Sequence, residues 1–138
     1  MYKRILVTLD RTRADRPILD HIKPLARLMQ SHVILLHVAS GVAAKYHRSD
    51  AAGKEVEESK AYLEEVRGEL QREGIAAEAE IAFGDPAKEI IKWVEEKGCD
   101  LVAMGTHGHQ FVADLVLGVT AVHVQHNISV PVLLLRAK

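Results

Sequence analysis

A lone cysteine, Cys99, rules out an intrachain disulfide and any zinc site built from several cysteines. Set in Gly98-Cys99-Asp100-Leu101, it reads as a small buried hydrophobe, the usual fate of a free cysteine. Aromatics are nearly as scarce. One tryptophan, three tyrosines and two phenylalanines argue against stacking platforms for single-stranded nucleic acid. Neither charge is in excess: 18 Lys and Arg stand against 19 Asp and Glu, for a formal net charge of −1. That balance argues against a domain-wide basic face and a nucleic-acid partner, while leaving room for a small local anion site. No apolar run is long enough to cross a bilayer, which takes about 20 residues. The N-terminus opens on a strand-like run at Tyr2, with no signal-peptide pattern, so the expected location is the cytoplasm.

What is present suits one globular domain spanning residues 1–138. Apolar types make up 48% and charged types 27%, an ordinary soluble composition. The one surplus is histidine, with eight copies.

The period of the apolar pattern changes regularly along the chain. Ile5-Leu6-Val7-Thr8-Leu9 is nearly continuous and ends at Asp10, as suits a strand buried on both faces. Residues 14–30 place Ile18, Ile22, Leu25 and Met29 at helical spacing. Thr12 or Asp15 is the candidate cap, and Pro24 is expected to kink or bound the helix. A second strand runs from His32 to Val38, and residues 39–53 form a long connection without periodicity. Residues 54–73 form an amphipathic helix with Val56, Ser59, Leu63, Val66 and Leu70 on one stripe, stopped by Gly74. Ile75 to Phe83 alternates, with Glu78 and Glu80 between apolar residues. One wet face is expected, which places this strand at a sheet edge. Asp85-Pro86 starts a helix that buries Ile90, Ile91 and Val94 and closes at Gly98. Leu101-Val102-Ala103-Met104 is a fourth strand. Residues 113–127 are helical, with Leu115, Val116, Val119, Val122 and His123 turned inward, and Pro131 opens a fifth strand, Val132–Leu135.

Five strands alternating with four helices imply an α/β fold, a parallel sheet with helices on both faces. Ligands of such folds bind outside the carboxyl ends of the strands, where strand order reverses. The segment leaving strand four, Met104-Gly105-Thr106-His107-Gly108-His109, has two glycines three apart, with Gly118 further on. Glycine admits close backbone approach, and successive N–H groups near a helix start make an anion-binding concavity. Read alone, these glycines equally suit a tight turn. Asp10 likewise serves either as a turn residue or as a carboxylate accepting from an adenine amino group or a ribose hydroxyl.

The chain as a whole resembles a small single-domain universal stress protein. The resemblance rests on Tyr2-Lys3-Arg4-Ile5-Leu6-Val7-Thr8-Leu9-Asp10, Leu35-Leu36-His37-Val38 and Gly84-Asp85-Pro86-Ala87. It continues through Asp100-Leu101-Val102-Ala103-Met104-Gly105-Thr106-His107-Gly108 and Pro131-Val132-Leu133-Leu134-Leu135-Arg136. It implies a Rossmann-like five-stranded sheet of order 3-2-1-4-5 and binding of an adenine nucleotide, ATP with or without Mg2+, by a stress-response protein. Gly105, Gly108 and Gly118 match the family spacing of glycine, two residues, glycine, nine residues, glycine. Asp10 matches the adenine-side aspartate, Val38 a valine lining the base, and Thr8 a position beside the adenine, with Met104 leading into the loop. The resemblance also implies a homodimer through the last strand, Val132, Leu133, Leu134, Leu135 and Arg136.

Two positions depart from the family pattern. Val119 replaces the Ser or Thr after the third glycine, and Thr120, one place later, points about 100° away on a helix. Losing a hydroxyl bond to a charged group costs about 1.5–3 kcal/mol, roughly ten- to a hundred-fold in affinity. His109 stands where the family often carries Arg or Lys, and with a reference pKa of about 6.5 it is mostly neutral at pH 7 away from a phosphate. The pairs His107/His109 and His123/His126 lack the acidic or cysteine company of a metal site and read as solvated or capping residues, so no metal is expected. No Gly-x-Ser-x-Gly elbow, His-Glu-x-x-His pair or spaced Cys–His pair supplies catalytic residues. Two alternatives stay open: a nucleotide-free dimeric interaction module of the same fold, and a slow ATP hydrolase.

Overall fold

The computed structural model describes residues 1–39, 50–105 and 120–136. In chain order the elements are β1 (Arg4–Thr8), α1 (Asp15–Met29), β2 (His32–Ala39), α2 (Asp50–Arg72), β3 (Ala76–Phe83), α3 (Pro86–Lys97) and β4 (Leu101–Gly105). Helical residues 120–127, here α4, and β5 (Val132–Leu135) complete them. The strands form one parallel sheet of order β3-β2-β1-β4-β5. From β1 the chain steps outward through β2 to β3, then returns to the other side of β1 for β4. The reversal falls between β1 and β4, with Val7 opposite Ala103 and Val102 opposite Val132.

Two cores explain the continuous apolar runs of the central strands. One face packs Ile5, Val7, Val33 and Leu35 under Ile18, Leu19 and Ile22 of α1 and Leu63, Val66 and Leu70 of α2. The other packs Leu6, Ile34, Leu36 and Val102 under Ile90 and Val94 of α3 and Ala121 and Val124 of α4. Strands covered on both faces cannot alternate polar and apolar residues.

Local chemistry sets the element ends. The Asp85 carboxylate accepts from the Lys88 N–H at 3.0 Å, Pro86 opens the first turn, and Gly98 ends α3 at φ 64°. Gly74 stops α2 at φ +82°. Cys99 is buried, and burial pushes its thiol up to about 11.

Several expectations need correction. α1 continues through Pro24, so the proline does not bound it. Ala14, with no side-chain bond, occupies the cap position of α1, and Asp15 acts elsewhere. α2 begins at Asp50, inside the stretch expected to be connection. β3 is an edge strand as expected, but its acidic face is half-covered: Glu78 meets His32 at 3.0 Å and Lys97 of α3 at 3.8 Å. Val122 (52% exposed) and His123 face solvent, while Ala121 and Val124 turn inward. In a valine-rich helix several stripes are apolar, and packing against α3 selects one of them. The expectations for Leu115, Val116 and Val119 lie outside the described residues.

Candidate functional site

Where β1 ends, burial changes abruptly: Thr8 is half-buried, Leu9 is in the first core, and Asp10 is exposed. The turn that follows is held by hydrogen bonds at Leu9, Asp10 and Arg11. The Leu9 N–H donates to the Leu36 carbonyl at 2.9 Å, and the Leu9 carbonyl accepts from His37 Nδ1 at 2.8 Å. A carbonyl can only accept, so the proton of His37 is on Nδ1. The Asp10 and Arg11 N–H groups donate to Asp15 Oδ1 and Oδ2 at 2.9 and 2.7 Å. Arg11 takes φ 65°, a left-handed conformation that costs a residue with a β-carbon roughly 1–2 kcal/mol. Its guanidinium reaches α2, donating to the Glu55 carbonyl, Ser59 Oγ and Glu58 Oε2 at 3.2–3.3 Å.

This arrangement selects ligand chemistry. The buried Asp15 carboxylate already occupies the Asp10 and Arg11 N–H groups, so these two are not offered to an anion. Asp10 itself is exposed at this turn, and a carboxylate accepts from donors such as an amino group or a hydroxyl. Tyr62 of α2 donates to Asp15 Oδ2 at 2.7 Å, and burial together with this bond pushes its phenol well above the ordinary value.

Beside this turn, across the strand reversal, lies the end of β4. Met104 is only 3% exposed and packs in the second core, so it lends the rim its backbone. Gly105 is buried against α1. A β-carbon there would lie 3.4 Å from Ile18 Cδ1 and 3.7 Å from Ala14 Cβ. Val38, half-buried, is the penultimate residue of β2 and packs on the second core. Next to it a cleft of about 170 Å3 opens between β2, β3 and α2, lined by His37, Val38, Ala39, Glu55, Val56, Ser59 and Ile81. The fold thus brings Thr8, Asp10, Val38, Met104 and Gly105 to one carboxyl-end rim. Thr120 is half-buried at the head of the described part of α4. Gly108, His109, Gly118 and Val119 lie outside the described residues, as does His107.

Sequence reasoning missed Asp15, Tyr62, His37 and the reach of Arg11. The sequence offers Thr12 or Asp15 as the cap of α1, whereas Asp15 is the first residue of the helix and its carboxylate turns back to the Asp10 and Arg11 N–H groups. Ser59 carried a signal, a hydroxyl inside an otherwise apolar stripe. Among the described residues no group of three or more His, Cys, Asp or Glu could hold a metal ion, and no helix is long and apolar enough to cross a membrane.

A family model for the universal stress protein family matches residues 1–136. Universal stress protein MJ0577 of Methanocaldococcus jannaschii is 30% identical over 157 aligned positions, covering 100% of this chain and 97% of that protein. The solved MJ0577 structure superposes with a TM-score of 0.85 at 32% identity, covering 100% and 98% of the two chains. A universal stress protein solved in complex with cAMP has a TM-score of 0.72 at 19% identity, covering 99% and 98%. One from Archaeoglobus fulgidus in complex with dAMP has a TM-score of 0.72 at 21% identity, covering 96% and 97%. At those last identities the likeness is one of fold.

Proposed function

The chain belongs to the universal stress protein family, and from that premise we propose that it binds an adenine nucleotide, ATP with or without Mg2+, at the carboxyl-end rim of β1 and β4. One observation carries this reading: the strand reversal sets the Asp10 turn, whose Asp10 and Arg11 N–H groups are taken by Asp15, beside the glycine-led exit of β4. Asp10 is the group to accept from the base amino group or a ribose hydroxyl. Thr8 and Val38 flank the base, whose aliphatic surroundings fit a chain with few aromatics. The phosphates belong where β4 exits at Gly105, and Gly108, His109, Gly118, Val119 and Thr120 are the residues that the family resemblance assigns to them. Backbone N–H groups hold a phosphate chain without a basic face. The cAMP and dAMP complexes of proteins with this fold are consistent with such a ligand. Mg2+, when bound with ATP, would offset phosphate charge.

Nucleotide occupancy is then regulatory, in a cytoplasmic stress-response protein that works as a homodimer through β5. Val132–Leu135 is half-buried along its whole length at a sheet edge. Such an edge presents unpaired N–H and C=O groups to a second copy.

Calorimetric titration with Mg-ATP tests the ligand. The expected outcome is saturable binding by the parent protein and at least about ten-fold weaker binding by Asp10→Ala, the loss of one hydrogen bond to a charged group. No heat up to millimolar ATP would refute nucleotide binding and favour an interaction module whose glycines only shape a turn.

A further inference from the structure

Asp15 is 2% exposed, and nothing in the nucleotide reading uses it. A carboxylate is stable at such depth only where donors converge on it. Three do: the Asp10 N–H at 2.9 Å, the Arg11 N–H at 2.7 Å and the Tyr62 hydroxyl at 2.7 Å. The first two belong to the turn that presents Asp10, and the third belongs to α2, reached 47 positions along the chain. Arg11 sits in the left-handed region, a conformation that persists where surrounding bonds over-determine it, and its own guanidinium also grips α2.

We infer that Asp15 is a positioning residue for the ligand-binding turn, and that Tyr62 couples that turn to α2. The inference rests on the nucleotide reading for its consequence, but its physical core, a turn held by Asp15, stands independently. A helix cap would serve α1 alone. Here both turn-facing bonds point back out of the helix, to the residues that precede it. Tyr62 fixes which way the carboxylate faces, and the whole of α2 is thereby linked to the position of Asp10.

The test uses Asp15→Asn and Tyr62→Phe in the full chain. Asparagine keeps the shape of aspartate but replaces one acceptor oxygen with a donor, so it can serve only one of the two turn amides. Amide hydrogen exchange without nucleotide is the first readout. In Asp15→Asn at least one of the Asp10 and Arg11 amides is expected to exchange about ten-fold faster while Leu6 and Ile22 hold the parent rate, and Tyr62→Phe is expected to accelerate the Asp10 and Arg11 amides by about three-fold. Parent rates at Asp10 and Arg11 in both variants would overturn the inference, as would equal acceleration at Leu6 and Ile22, the mark of a merely structural role. Should Asp15→Asn fail to fold, Tyr62→Phe decides the matter by the same pattern.

Mg-ATP affinity is the second readout, and it is expected to fall in the same order, parent, Tyr62→Phe, Asp15→Asn. A loosened turn with undiminished affinity would overturn the positioning role. A parent protein that takes up no ATP would refute the nucleotide reading instead, with the exchange pattern still deciding whether Asp15 holds the turn.

Discussion

Gly105 lies on the rim where β4 leaves the sheet beneath α1. A β-carbon there would touch Ile18 Cδ1 at 3.4 Å, which is ordinary contact, whereas the two methyl groups of valine would add bulk next to Ile18 and Ala14. Gly105→Ala is therefore expected to stay within about 1 kcal/mol of the parent, and Gly105→Val to lose about 1–3 kcal/mol, read by denaturant unfolding. Equal stability of the two variants would mean that this glycine is not closely packed. At the start of α3, Asp85→Ala should cost about 1 kcal/mol by the same measurement, since the carboxylate satisfies the Lys88 N–H. Both residues were legible in the sequence, because a strand running into glycine and an Asp-Pro pair are local signals. Asp15 was not legible. Its partners are the turn before it and a tyrosine on a different helix, and no local spacing reveals a bond across such a distance.

Between α1 and α2 runs a ladder of ion pairs: Arg16 with Glu69, Lys23 with Glu69 and Glu73, and Arg27 with Glu73. The cations lie on α1 and the carboxylates on α2 and the turn residue just after it, an arrangement invisible to patterns read along one helix at a time. Most of these groups are solvated and weakly stabilising, but the Lys23 side chain is only 12% exposed. Hydrogen bonds from Arg16 and Lys23 hold the Glu69 carboxyl at about 2, against an ordinary 4.5. A carboxylate with a depressed folded-state pKa stabilises the fold above its unfolded value, and that contribution is lost as pH falls through the folded one. Glu69→Gln is thus expected to lose about 1–2 kcal/mol at pH 7, discounted for solvent screening. The gap to the parent should begin to close below pH 4.5 and be nearly gone at about pH 2. A gap independent of pH in acid unfolding curves would contradict the charge pairing.

Over the whole molecule, the order of elements was readable because each buried parallel strand is a short apolar run and each helix shows its own period. The order 3-2-1-4-5 came from family resemblance, since strand sequence alone leaves the crossing points open. The inward face of α4 was misread at Val122 and His123 because only its packing partner distinguishes one apolar stripe from another. At this scale the β5 edge carries a prediction of its own. Leu134→Pro should convert a dimer to a monomer in size-exclusion chromatography with light scattering, with far-ultraviolet circular dichroism close to the parent, because proline removes an N–H from the strand. A dimer that persists would move the interface elsewhere. The site itself is tested most directly by titrating isotopically labelled protein with Mg-ATP and following the backbone amide resonances. Saturable shifts are expected at Thr8 to Arg11, at Val38 and Ala39, and at Met104 and Gly105, with the amino-end residues Lys3, His32 and Asp100 unmoved. Unmoved rim amides at millimolar nucleotide, or shifts centred on the amino end of the sheet, would contradict a nucleotide site at the β1–β4 reversal.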